Sequence, residues 1–205
     1  MEKADKRTEI LRAAEQLFAE FGYEGTSTRQ ISKESGANMA MINYYFGSKE
    51  GVFLEIMESR ISGFKTQLNQ IAEEKITAKD KLLKVVSVYA SRIFSNVCFH
   101  KMMHRELLQT QRPEIFTQVK EAMAQNLEVI ESIINNGIKE GSFRKVDVRM
   151  LIVSVMGTIN MVATSPSKVI SDPNFDIKND TDRDQLRVRL INHLNDLLLT
   201  HLIKH

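Results

Sequence analysis

An all-α fold is predicted by three features of this 205-residue chain. Apolar residues recur at three- and four-residue spacing along most of its length, prolines number only three, and two short helical patterns meet at a glycine near residue 36. The third feature divides the chain into an N-terminal three-helix unit, residues 1–47, and a larger helical bundle, residues 48–205. The first helix carries Ile10, Ala14, Leu17, Phe18 and Phe21 on one face, and Gly22 stops it. Ser27 followed by Gln30 has the form of a capping box, so a second helix starts at about Thr28. Its apolar side is thin, Ile31 with the small residues Ser32 and Ser35, and Gly36 can take the left-handed conformation that ends it. Asn38 caps a third helix. Ile42 and Phe46, four apart, give that helix one buried stripe and leave Met39, Ala40, Asn43 and Tyr44 facing outward.

Two short helices around a tight turn make a helix-turn-helix, whose second member enters the major groove of double-stranded DNA. Ser48 caps a fourth helix with Val52, Phe53, Ile56, Met57, Arg60, Ile61 and Phe64 on one side, long enough to reach from the first unit into the second. Leu82, Val85, Val86, Tyr89, Ile93, Phe94 and Val97 form the next stripe. A short segment, His100 to Leu108, follows it, and Pro113 suits the first turn of the helix that carries Phe116, Val119, Met123, Leu127, Ile130, Ile133 and Ile134. Gly137 and Gly141 punctuate its end. Asp147 opens a run through Met150, Leu151, Val155, Ile159 and Met161, in which Ser154, Gly157 and Thr158 allow close approach by another helix. The stretch from Ser165-Pro166 to Asp182 is expected to be a mobile connection, and the last helix shows Leu186, Leu190, Ile191, Leu194, Leu197, Leu198 and Leu202.

Composition narrows the function. A charged fraction of 26% and a net charge of +2 describe neither a disordered tail nor a polybasic coat. Met1 to Ile10 is polar, without the apolar core of a secretory signal, and no apolar run has the length of a membrane span, so a cytoplasmic protein with no membrane partner is expected. Residues 1–60 hold eight basic against ten acidic groups, which leaves DNA binding to local contacts rather than to bulk charge. Cys98 is the single cysteine, either a small buried hydrophobe or a thiol sensor. His100 and His104 lie one helical turn apart, but Lys101 follows His100 where the zinc-protease motif needs glutamate. No Gly-rich phosphate loop, nucleophile elbow or paired carboxylates stand out, and no cofactor is expected.

The segment from Ile10 to about Ile56, with Phe21-Gly22-Tyr23, Thr26-Ser27-Thr28-Arg29-Gln30-Ile31, Gly36-Ala37-Asn38 and Asn43-Tyr44-Tyr45-Phe46-Gly47-Ser48-Lys49-Glu50, resembles the N-terminal domain of TetR/AcrR family transcriptional regulators. The Gly-Ser-Lys-Glu-Gly run looks most like an AcrR-type or CecR-type branch. The resemblance implies that Thr28, Tyr45 and Lys49 hold phosphates and that Arg29, Ala40, Met41, Asn43 and Tyr44 face the groove. Asn38 and Met39 complete the expected DNA-binding set, although Met39 replaces the lysine or polar residue of many relatives. Arg29 suits guanine, Asn43 suits adenine, and Met41 can touch a thymine methyl.

It further implies a homodimer joined by the last two helices, a small-molecule effector held by the middle helices, and repression through an inverted-repeat operator. The two C-terminal stripes serve either that dimer or the interior of one chain. Phe94, Met102, Met103, Phe116 and Met123 are either effector-pocket walls or ordinary core, with His104 and Glu106 as polar groups. The alternative function is a helical metal-binding or enzymatic protein with a helix-turn-helix that reads nothing.

Overall fold

A computed structural model describes residues 2–108 and 113–203; the side chains of residues 2–5, 105, 107, 108, 113–116 and 118 lie outside that description. The helices run in the order α1 (Glu2–Phe21), α2 (Thr28–Ser35), α3 (Met39–Phe46), α4 (Lys49–Glu73), α5 (Ala78–Ser95), α6 (Val97–Leu108), α7 (Pro113–Lys139), α8 (Val148–Thr164) and α9 (Asp180–Leu202). A turn of 3-10 helix covers Pro166–Lys168, and no strand occurs among the described residues. Two compact units result, Met1–Gly63 with Cys98–Ala122, and Phe64–Val97 with Met123–His205. That division differs from the one expected at residue 47. The beginning of α4 belongs to the first unit, and so do most of α6 and the start of α7.

In the first unit, Ile10, Ala14 and Phe18 of α1 meet Ile31, Ile42, Val52, Phe53, Ile56 and Met57 in one buried cluster. Its centre is aromatic: Phe18 stacks on Tyr23 at 5.5 Å, and Phe53 meets both rings edge-on at 5.4 and 5.0 Å. Phe99 and Met102 of α6 and Val119 of α7 complete the cluster. Arg7 pairs with Glu55 and Arg60 with Glu15, tying α1 to α4 at partly exposed positions where such pairs add little to stability. Phe21, expected on the buried face of α1, is half exposed because the helix ends there, at Gly22.

In the second unit, Leu186, Leu190, Leu194, Leu198 and Leu202 repeat every four residues along α9 and pack with Leu82, Val85, Val86 and Ile93 of α5. Ile130, Ile133 and Ile134 of α7 and Ile152, Ile159 and Val162 of α8 close the same core. Asp147 caps α8 by accepting from the Met150 amide at 3.0 Å. Asn179 caps α9 by accepting from Thr181 and Asp182, so the helix begins earlier than the Asp182 start read from sequence. The connection expected to be mobile is built: a 3-10 turn follows Ser165, and Ile170, Phe175 and Ile177 pack against the core. Met150, Val153 and Met161 of α8 and Leu197 of α9 face outward, although Met150, Met161 and Leu197 were read as parts of the apolar stripes.

Gly137 permits a close approach: a Cβ there would run into the Phe143 ring and lie 2.9 Å from the Ala78 Cβ. Gly63, inside α4, has nothing within 4 Å of an added Cβ. Gly137→Ala is therefore expected to destabilise the protein by about 1–3 kcal/mol through overpacking. Gly63→Ala is expected to stabilise it by about 0.5–1 kcal/mol by removing helix-interior glycine entropy. Equilibrium urea unfolding of both variants checks the opposite signs.

Candidate nucleic-acid interface and effector cavity

Each end of the two short helices is fixed by a capping interaction. Ser27 Oγ accepts the Gln30 amide at 3.2 Å, while Gln30 Oε1 accepts the Ser27 amide at 2.8 Å, completing the reciprocal box. Gly36 ends α2 at φ 61°, in the left-handed region, and Ser32 Oγ donates to the Ala37 carbonyl at 2.6 Å across the turn. Asn38 Oδ1 then accepts the Met41 amide at 2.8 Å and starts α3. Asn38 thus acts through its cap.

Ile42 is the one fully buried residue of α3, and the rest of the helix is left available to an outside partner. Tyr44 is 76% exposed, and Met39, Ala40 and Asn43 are exposed as well, with Met41 and Tyr45 half-buried. Tyr44 and Tyr45 meet edge-on at 5.3 Å, and Tyr45 leans on Phe46 at 6.0 Å. On α2, Arg29 is exposed and Thr28 half-buried. Lys49 lies differently. Its Nζ donates to the carbonyls of Tyr23 and Thr26, both at 2.9 Å, and sits 4.1 Å from the Tyr23 ring centroid. Two of its three N–H groups brace the loop between α1 and α2, a role invisible in the spacing of the sequence because the partners are main-chain atoms 23 and 26 residues away.

The residues expected to wall an effector pocket are divided between the two units. Phe94 is core of the second unit and Met123 is exposed at its edge. Met102 is buried in the core of the first unit, with Met103 packed against it. Glu106 is buried in the first unit and His104 is exposed; the Phe116 side chain lies outside the described residues. Helical spacing identifies a buried face without saying which core receives it. Of the two histidines one helical turn apart, His100 is buried and His104 exposed. Among the described residues no group of three or more His, Cys, Asp or Glu is placed to hold a metal. Cys98, read as a buried hydrophobe or a sensor, is exposed.

A cavity does occur, wholly within the second unit. Leu82, Val85, Val86 and Tyr89 of α5, Ile130 and Ile134 of α7, Leu151, Ile152, Val155, Met156 and Ile159 of α8, and Leu198 of α9 line it. It has a volume of about 20 Å³, room for about one water, and is not sealed from the surface. Tyr89 is the lining residue with a hydroxyl. Asn160 Nδ2 donates to that oxygen at 2.6 Å and to the Met156 carbonyl at 2.9 Å. Burial pushes the Tyr89 phenol above its ordinary pKa, against the opposing effects of the Asn160 hydrogen bond and the Arg92 charge, so the hydroxyl keeps its proton at neutral pH.

Comparison with known proteins agrees with this arrangement. Residues 10–56 match the model for bacterial regulatory proteins of the tetR family, and residues 55–191 match that for the C-terminal region of YsiA-like protein. The chain is 27% identical over 177 residues to the fatty acid metabolism regulator protein of Bacillus subtilis, covering 86% of this chain and 90% of that one. It is 26% identical over 149 residues to the transcriptional repressor KstR2 of Rhodococcus jostii, covering 72% and 73%. The crystal structure of the transcriptional regulator FadR from Bacillus subtilis in complex with stearoyl-CoA superposes with a TM-score of 0.75 at 26% identity, covering 95% of this chain and 98% of that one.

Two substitutions separate support from reading on the outward face of α3. Asn38→Ala is expected to remove about 1 kcal/mol of stability and to weaken all DNA sites alike. Asn43→Ala is expected to leave stability and salt slope unchanged while relaxing preference at one base position. Thermal unfolding and binding to a randomised-sequence pool distinguish them; an unchanged base profile for Asn43→Ala removes it from the reading set.

Proposed function

The chain belongs to the TetR family of bacterial regulatory proteins, and from that premise we propose that it is a homodimeric repressor that binds an inverted-repeat operator and releases it on binding a fatty acyl-CoA. The observation that carries the DNA half is α3 itself, anchored by Ile42 and displaying Met39, Ala40, Asn43 and Tyr44 outward. Arg29, Asn43 and Tyr44 are assigned to the groove with Ala40 and Met41, and Thr28, Tyr45 and the remaining N–H of Lys49 to phosphate. Asn38 positions them.

The dimer reading rests on an apolar face that one chain leaves open. On α8, Met150 and Val153 are each 63% exposed and Met161 60%, with Ser154 and Gly157 between them, and Leu197 of α9 is 52% exposed. Large side chains interrupted by small ones let a second helix approach closely, and two copies of such a face complement each other about a two-fold axis. A two-fold dimer carries two reading heads, which calls for a pseudo-palindromic site.

The effector reading rests on the cavity and on the relative bound to stearoyl-CoA. An apolar lining suits an alkyl chain. A space fit for one water cannot take several methylenes unchanged, so α8 must shift relative to α5 and α7 when the chain enters. Binding then favours a conformation other than the ligand-free one, the condition for any effector to act. α8 also carries the open apolar face, and α4 and α7 each continue into the first unit, so movement has a route to both the partner chain and the reading head.

Two outcomes test these readings. Val153→Glu combined with Met161→Glu is expected to leave the fold intact and to convert dimers to monomers in analytical ultracentrifugation, with loss of operator binding. Palmitoyl-CoA is expected to lower affinity for the protein's own promoter fragment in a mobility-shift assay at fixed salt, with coenzyme A alone having no effect. A variant that stays dimeric moves the interface off α8; promoter affinity indifferent to palmitoyl-CoA removes the acyl-CoA assignment.

A further inference from the structure

The two short helices are attached to the rest of the first unit by different means. α3 is continuous with α4 through Gly47 and Ser48, and the junction is tight, since a Cβ at Gly51 would run into the Phe46 carbonyl. α2 has no such junction at its start. Its capping box joins Ser27 to Gln30, which fixes where the helix begins but not where it lies on its neighbours. Placement of that end is left to the loop at residues 22–26. Thr26, 1% exposed, donates from Oγ1 to the Gly22 carbonyl at 2.8 Å, and its amide donates to the Tyr23 carbonyl at 3.3 Å. Lys49, the first residue of α4, ties the loop down. Its Nζ donates to the carbonyls of Tyr23 and Thr26 and lies over the Tyr23 ring, which is itself packed against Phe18 and Phe53. Arg29 stands in the first turn of α2, just beyond this loop. It is exposed, and among the described residues nothing holds its side chain by a hydrogen bond or ion pair.

We infer that Lys49 is a positioning residue for base reading by Arg29, acting through the loop at residues 22–26 in addition to the phosphate contact proposed above. The inference rests on the groove assignment of Arg29 and deepens it. A side chain that reads a base through two parallel hydrogen bonds tolerates little displacement of its own backbone. Arg29 takes its position from the first turn of α2, and that turn takes its position from the loop that Lys49 holds. An ammonium suits the task, because it directs separate hydrogens at two carbonyls while its charge rests on an aromatic face. Asn43 does not depend on this tie, because α3 is placed by Ile42 beneath it and by the chain itself at Gly47. Loss of Lys49 therefore blurs the base position read from α2 and spares the one read from α3.

The test reads base preference position by position from a randomised-sequence pool at fixed salt. Comparing positions within one variant cancels any loss of overall affinity or stability. Arg29→Ala identifies the position that Arg29 reads, where discrimination is expected to fall about 5- to 150-fold, and Asn43→Ala identifies the other. Lys49→Met keeps the stem and removes the ammonium. It is expected to lower discrimination at the Arg29 position about two- to tenfold, the range of one weakened hydrogen bond, and to leave the Asn43 position unchanged. Thr26→Val loosens the same loop at a buried site that carries no charge and cannot reach DNA. It is expected to relax the same position, and it carries the test if Lys49→Met does not fold. A lysine that only holds phosphate weakens all sequences alike. That result for Lys49→Met overturns the inference while leaving the groove assignment intact, and so does equal relaxation at both positions, which marks general loosening of the unit. An Arg29→Ala profile identical to the parent's overturns the groove assignment of Arg29 and this inference with it.

Discussion

Helices of eight residues do not stand alone in water, because nucleation costs more than so few hydrogen bonds return. α2 and α3 are both eight residues long, and everything outward on them depends on what fixes them from behind. That support is narrow: Ile31 and Ile42, each fully buried, set against the Phe18, Tyr23 and Phe53 rings. The capping box at Ser27, the left-handed Gly36 and the Asn38 cap satisfy main-chain groups that the short helices could not satisfy internally. The Lys49 brace extends the same device to the loop before α2. A reading surface needs an exposed face with little positional freedom, and anchoring from one side delivers both.

The second unit solves a different problem. Its core is continuous over α5, α7, α8 and α9, and the small cavity is a fault in that packing. Such a fault has a cost, since the lining side chains lose partner atoms across it, and the cost is recovered when something fills it. A space this small requires a change of packing before it can hold anything much larger than a water. Beside it, Asn160 donates a hydrogen bond to the Tyr89 hydroxyl.

Legibility in the sequence followed the range of the interactions. The capping box of Ser27 and Gln30, the stop at Gly36 and the caps at Asn38, Ser48 and Asp147 are local, spanning three or four residues, and each could be read from adjacent letters. Helical stripes were equally readable, but the identity of the core they serve was not. Met102 fits a stripe as well in the DNA-binding unit as in an effector domain, and only the three-dimensional path of α6 assigns it to the former. Tyr89 was read as one more apolar contact because its partner Asn160 lies 71 residues away. For Met161 and Leu197 the sequence left two alternatives open, because methionine and leucine suit a monomer core and a contact between chains alike; both side chains are exposed.

Charge sets the last constraint on how such a molecule can regulate. With eight basic against ten acidic groups in residues 1–60, one head has little of the sequence-independent hold that phosphate neutralisation gives. Operator affinity in the proposed dimer must then come from engaging two half-sites together, each raising the effective concentration of the other. Losing register at either half-site forfeits that gain, so the effector need not cover α3 or unfold it. A conformational preference of about 1–3 kcal/mol, the usual scale of coupling between sites, is enough to separate bound from released states. For the proposed effector, a cavity of about 20 Å³ supplies a preference of the right sign, because it must widen before an alkyl chain can enter. In the proposed regulator, weak single-head binding and a small cavity are complementary: the first makes a small structural change sufficient, and the second makes some change unavoidable.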